Sequence, residues 1–222
     1  MEFQITLTDK LRNFTDYVDI KQTQANGVVL GEYKMALNDV INALSNASIE
    51  GRSHETPFLP KNCIKFITSD SGDDEVFIEL PKRQWSISYM DKQMVIGFPR
   101  LILNYRVHQG EIRGLKIVAI KESDSINEET DIYYFPYSNV HHDSGDVCMG
   151  TNTFPKIDRL NQLEKMHFLF FSAPFGSDYG AMTLKGKTLE ELFKEFHEKP
   201  FHDELLFPTK KSFNEYFFLG NK

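Results

Sequence analysis

Between Asn62 and Lys121 the chain repeats one pattern three times: an apolar run, a tight polar turn, and a second apolar run. CIKFITSD and EVFIELP are joined through Ser71-Gly72-Asp73-Asp74. RQWSISYM and QMVIGFP are joined through Asp91-Lys92, and LILNYRVH and EIRGLKIVAIK through Gln109-Gly110. Period-two alternation places successive side chains on opposite faces of a strand, and short Gly- or Asp-bearing turns join such strands antiparallel. Three hairpins in succession predict an antiparallel β-meander, whose apolar side needs helices against it. Cys63 falls in the first of these strands, where a small buried hydrophobe is its simplest role.

The flanking segments supply further strands and the helices. FQITLT at 3–8 alternates as a strand does, and residues 14–30 read as a further short strand with Asn26-Gly27 as a hairpin turn. A helix is expected from about Gly31 to Ala47, with Leu37, Val40, Ile41 and Leu44 on one face. Residues 48–60 (SIEGRSHETPFLP) lack periodicity and hold two prolines, which marks a linker. This divides the chain into residues 1–55, strands and a helix that are either integral to the main fold or a separate subdomain, and a main domain at 56–222. His54 and Glu55 in the linker read most simply as solvated side chains. Residues 122–131 (ESDSINEETD) form an exposed acidic loop without the ligand spacing of a metal loop. Leu160, Leu163 and Met166 start a helical pattern that runs into His167-Phe168-Leu169-Phe170-Phe171. Residues 174–187, with one Pro and three Gly, form a loop. Thr188 and Glu191 make a capping box for TLEELFKEFHEK, Pro200 ends that helix, and a short terminal helix is expected after Pro208. The fold class is α+β.

The net charge of −7 over 222 residues opposes nucleic-acid binding and attraction to an anionic membrane surface. No apolar run approaches the roughly 20 residues that span a bilayer, and MEFQITLTDK is not a signal peptide. Two cysteines, Cys63 and Cys148, do not make a disulfide framework, so free thiols in a reducing cytoplasm are expected.

The chemistry concentrates in Tyr133–Phe154, YYFPYSNVHHDSGDVCMGTNTF. Gly145 allows a sharp reversal within Asp143-Ser144-Gly145-Asp146, and Gly150 interrupts the strand that follows. Cys148 therefore sits at an irregular, partly open edge, the setting in which thiolates react. Asn139 precedes it by nine residues across the turn, where a side-chain amide can donate to an oxyanion. His141 and His142 can raise the thiolate fraction or act as a base, and Asp143 can orient one of them. Each residue also has a plainer role: Cys148 in the core, Asn139 bonding its own turn, and the His-His-Asp run solvated. A zinc site needs four ligands with recognisable spacing, and His-His-Asp with one Cys lacks the second cluster, so no metal is expected. There is no G-x-S-x-G elbow.

Pro136-Tyr137-Ser138-Asn139 followed by Gly145-Asp146-Val147-Cys148 resembles the active-site segment of E2 ubiquitin-conjugating enzymes. There a His-Pro-Asn motif precedes the catalytic Cys by a short loop. FPYSNV, VCMG and FFSAPF are more specifically similar to the bacterial E2-like family D, the group that includes the B proteins of PRTRC genetic systems. The resemblance covers roughly residues 57–176. It departs from ordinary E2 enzymes in three ways: the motif His is absent, as family D is known for; two residues separate Pro from Asn where ordinary E2 enzymes have none; and the Asn-to-Cys spacing is one residue longer. The resemblance implies a UBC/E2-like fold, with an antiparallel meander between N- and C-terminal helices. It also implies a Cys148 thioester with a ubiquitin-like protein delivered by an E1-like (ThiF-type) adenylating enzyme, and no cofactor. A second reading keeps the fold without catalysis, as a scaffold or binding module of a mobile-element system.

Overall fold

The computed structural model describes residues 2–46, 56–69 and 71–219. The chain divides into two compact units, Met1–Glu55 and Thr56–Lys222.

In the first unit β1 (Glu2–Thr6), β2 (Tyr17–Thr23) and β3 (Val29–Ala36) form an antiparallel sheet in that order, followed by α1 (Leu37–Asn46). The helix expected from Gly31 thus begins only at Leu37. GEYKMA continues a strand because Tyr33 and Met35 alternate opposite Ile20 and Val18, extending the ladder that starts at the Asn26-Gly27 turn. Val18, Ile20 and Val40 are buried, with Ile5, Leu11, Met35 and Leu37 packed against them. The end of the expected helix at Ala47, with His54 and Glu55, lies outside the described residues.

In the second unit the three hairpins form as β4 (Cys63–Thr68) with β5 (Asp73–Leu80), β6 (Arg83–Tyr89) with β7 (Lys92–Phe98), and β8 (Arg100–His108) with β9 (Glu111–Ile120). They do not make one continuous meander. β5 pairs with β8, and the β6–β7 hairpin leaves the sheet between them. Pro81 and Pro99 bracket that hairpin; a residue without an N–H cannot continue a ladder, and both corners fall there. The main sheet has six strands in the order β12-β10-β9-β8-β5-β4, where β10 is Asp131–Tyr133 and β12 is Pro208–Ser212. β6–β7 forms a second sheet with β11 (Pro174–Phe175), which pairs parallel to β6. The class is α+β, mostly antiparallel with few helices.

β5, β8 and β9 are buried on both faces, which is why LIL and IVAI run as unbroken apolar stretches. Val76, Ile78, Leu101, Leu103, Leu115 and Ile117 face the larger core. That core is closed by α2 (His167–Ser172), which follows a 3-10 turn at Leu160–Lys165, and by α3 (Leu189–Phe196). α3 has its capping box: the Thr188 side chain accepts from the Glu191 N–H, and the Glu191 carboxylate accepts from the Thr188 N–H. Phe77, Ile102, Val118 and Ile132 face the opposite side, where Phe213, Phe217 and Phe218 cover them. The short helix expected after Pro208 is present but starts later: residues 208–212 are first an edge strand on β10, and the chain coils from 213, with a π-helical turn at Glu215–Leu219.

The second sheet is held by rings. Trp85 stacks on Phe171 at 4.1 Å and 3°, and Arg83 lies 4.3 Å over the Trp85 ring. Where the chain passes over β7, a Cβ on Gly97 would come within 2.1 Å of the Lys199 carbonyl oxygen and 2.8 Å of the Phe201 nitrogen. Gly97→Ala is therefore expected to lose about 1–3 kcal/mol of stability, as overpacking against backbone does; urea denaturation measures it.

His167 is buried against Trp85 and Phe168, and burial, then the Arg83 charge, push its pKa down while Glu164 opposes them. A lowered folded-state pKa favours the neutral ring. Its contribution is full above the unfolded value of about 6.5 and is lost as pH falls through and below it. His142 shifts the same way. Denaturation midpoints should fall between pH 7.5 and 5, and less steeply in His167→Phe.

Candidate functional site

The aromatic start of the Tyr133–Phe154 stretch is core: Phe135 and Tyr137 are buried, and the Tyr137 hydroxyl donates to the Gly97 carbonyl. This fixes the chain entering the turn. Residues 139–148 then close a small irregular hairpin. Val140 bridges Val147, the His141 N–H donates to the Asp146 carbonyl at 2.9 Å, and the Cys148 N–H donates to the Asn139 carbonyl at 2.8 Å. Its far arm continues along β9 past the short β10, with the Val147 N–H on the Leu115 carbonyl and the Ile117 N–H on the Gly145 carbonyl, both 2.9 Å.

Gly145 holds the reversal at φ +72°, and a Cβ there would meet the Tyr216 hydroxyl at 2.6 Å. Only glycine satisfies both the left-handed backbone and the close approach of the tail. Arg106 pairs with Asp146 at 3.3 Å on the other side of the turn.

Cys148 is half-buried and lines a cleft of about 270 Å³ together with Asn139, Met149, Pro174, Asp178 and Tyr179. The Asn139 side chain ties the Cys148 turn to the segment entering the opposite wall. Its Nδ2 donates to the Pro174 carbonyl at 2.9 Å, and its Oδ1 accepts from the Gly176 N–H at 3.3 Å. Asn139 itself stands at φ +68°, a conformation Asn tolerates better than other side chains.

The structure thus brings Asn139 and Cys148 together. His141 is exposed and outside the cleft lining, but its ring lies 4.1 Å from that of Tyr179. His142 turns away: its Nε2 is buried with no hydrogen-bond partner among the described residues. Burial lowers its pKa, with Asp143 opposing and His141 adding to the shift, so the ring is neutral. Asp143 is exposed and, like His142, does not line the cleft. Cys63 lies in β4, half-buried, with its Sγ donating to the Lys65 carbonyl at 3.4 Å.

Tyr179 and Asp178 belong to the cleft although sequence reasoning passed over them. They sit in SAPFGSDYG, where no periodicity assigns a face. The available signal was an aromatic residue flanked by Asp178 and Gly180 within a loop rich in glycine and polar residues. Among the described residues no group of three or more His, Cys, Asp or Glu converges as a metal site would. No described helix is long and apolar enough to cross a membrane.

No curated protein and no solved structure matches the chain. A family model, prokaryotic E2 family D, matches residues 37–213. That span contains α1, every strand from β4 to β12, and the whole of the Cys148 cleft. With more than three quarters of its length inside the match, the chain belongs to prokaryotic E2 family D.

Proposed function

We propose that Cys148 accepts the C-terminal acyl group of a ubiquitin-like protein as a thioester and passes it to an amine. In the first step the Cys148 thiolate attacks the thioester carbonyl presented by an E1-like, ThiF-type adenylating enzyme. A new S–C bond forms, and the donor's sulfur leaves as thiolate. In the second step an acceptor amine attacks the Cys148 thioester, the Cys148 thiolate leaves, and the amine proton passes to a base. The observation that carries this reading is the half-buried Cys148 in an open-walled cleft, locked across its turn to Asn139, in a chain of an E2 family.

The order of α1, antiparallel strands, Cys-bearing turn and C-terminal helices supports a ubiquitin-conjugating-type fold. The narrower likeness to the PRTRC-system B proteins rests on FPYSNV, VCMG and FFSAPF. No cofactor takes part, and the reaction belongs in the cytoplasm. Asn139 fixes the two walls of the cleft relative to each other. Asp178, within the cleft, is better placed to receive the amine proton than His142 or Asp143, which lie outside its lining.

Incubation with the cognate adenylating enzyme, its ubiquitin-like partner and ATP should give an adduct cleaved by dithiothreitol. Cys148→Ser should give a hydroxide-labile oxyester that resists the reductant. Absence of both adducts, with Cys148 inert to iodoacetamide in the native state, would support the scaffold reading instead.

Asn139→Asp replaces an N–H donor with a carboxylate facing the Pro174 carbonyl. Acyl discharge should slow roughly tenfold or more, as a misplaced group does. Amide exchange at Gly176 should accelerate, because repulsion from the Pro174 carbonyl displaces the carboxylate from that N–H; hydrogen-exchange mass spectrometry reads this directly.

A further inference from the structure

One polar side chain lines the cleft from the wall opposite the Cys148 turn. Tyr179 lines the same cleft as Cys148, close enough for the cysteine to raise the pKa of its phenol. The side chain is held there against local preference. Tyr179 stands at φ +67° and Gly180 at φ +62°, two successive left-handed residues. For a tyrosine this costs on the order of 1 kcal/mol or more and persists only where the surroundings impose it. Three features impose it here. The His141 ring packs on the Tyr179 ring at 4.1 Å and 54°. Asn139 binds Pro174 and Gly176, which begin the loop. Phe175 between them is buried in the aromatic core.

The expected oxyanion donor, Asn139, has most of its amide committed elsewhere. Its carbonyl oxygen and one N–H serve the loop backbone, and the residue is 8% exposed. Tyr179, at 39% exposure, keeps its hydroxyl at the cleft surface.

We infer that Tyr179 is a catalytic hydrogen-bond donor of the Cys148 site, serving the thiolate before attack and the carbonyl oxyanion after it. The inference rests on the thioester reading above. In the tetrahedral intermediate the sulfur and the oxyanion are bonded to the same carbon. A donor on the facing wall of the same cleft therefore serves either atom without movement of the loop. When a thioester carbonyl is attacked, the S–C bond forms and the carbonyl π pair moves onto oxygen. Collapse returns that pair and expels the other sulfur. The phenol lends a hydrogen bond throughout and gives up no proton. It stays neutral, because burial first, then the neighbouring Cys148, and then Asp178 raise its pKa.

Tyr179→Phe keeps the ring against His141 and deletes the hydroxyl alone. The test is run in a Cys63→Ala background, so that only Cys148 reacts. A thiolate that loses a donor forms at higher pH but is intrinsically more nucleophilic. The iodoacetamide rate at pH 7 should therefore fall about threefold or more, while the high-pH plateau rises. Discharge of the loaded thioester to free lysine should slow roughly tenfold. That is less than the 10²–10³ of an enclosed oxyanion hole, because this cleft is open to water. Unchanged thermal midpoints would show that the fold is intact. Alkylation profiles and discharge rates within twofold of the parent would overturn the inference while leaving the thioester reading in place. If the parent itself never loads, the thioester reading fails. The alkylation profile, which needs no partner, still decides whether Tyr179 serves the sulfur.

Discussion

The structure depends on one constraint: the central strands β5, β8 and β9 carry apolar side chains on both faces, and both faces must leave water. Fully burying each of these side chains contributes about 1.5–3 kcal/mol, so neither face can stay uncovered. One face is met by the β6–β7 hairpin, α2 and α3; the other by the returning tail, where Phe217 sets its edge on Phe77 at 5.0 Å and 85°. The excursion of β6–β7 out of the main sheet follows from the same need. A hairpin kept in plane would add width to the sheet and leave the face it now covers open.

The Cys148 turn is built from what remains of this arrangement. β10 pairs with β9 at Tyr133 opposite Ala119, and beyond that point β9 is a free edge. Residues 145–147 occupy that edge through backbone bonds to Leu115 and Ile117. An unpaired edge invites pairing with another chain; here the Cys148 turn itself satisfies it. Tyr216 from the tail closes against Gly145, so the cover over the second core also backs the turn.

How far the sequence discloses this differs from element to element. The three hairpins were legible to within a residue or two, because alternation and turn chemistry are local. The Thr188 capping box was legible for the same reason. Which hairpin leaves the sheet was not stated by any local pattern, although Pro81 and Pro99 mark where it happens. Residues 31–36 were assigned to a helix because their apolar residues suit either period over so short a span, and the strand at 208–212 has no apolar alternation to disclose it. The partner strands β2 and β10 decided the matter. In the site, Cys148 and Asn139 stood out by their spacing across a glycine turn. Tyr179 did not, since its place depends on Asn139 reaching 35 residues along the chain to Pro174.

That long-range contact shows why the cleft has a defined geometry although both of its walls are loops. Loops are held by what terminates them. The Cys148 wall is held by Tyr137 and Val140 in the core and by the edge of β9. The Tyr179 wall is held by the pairing of Pro174–Phe175 with Ser88–Tyr89 and by Phe175, whose ring lies 5.6 Å from Phe170 and 6.0 Å from Phe98. Both walls therefore end in the same aromatic cluster, since Phe98 also packs on Tyr137 at 4.5 Å. Asn139 then joins them at the surface. A change in the spacing of Cys148 and Tyr179 requires either that this amide let go or that the shared rings repack. The second is resisted by close packing throughout the core. The first involves two hydrogen bonds near solvent, so any adjustment in the width of the cleft takes place at Asn139.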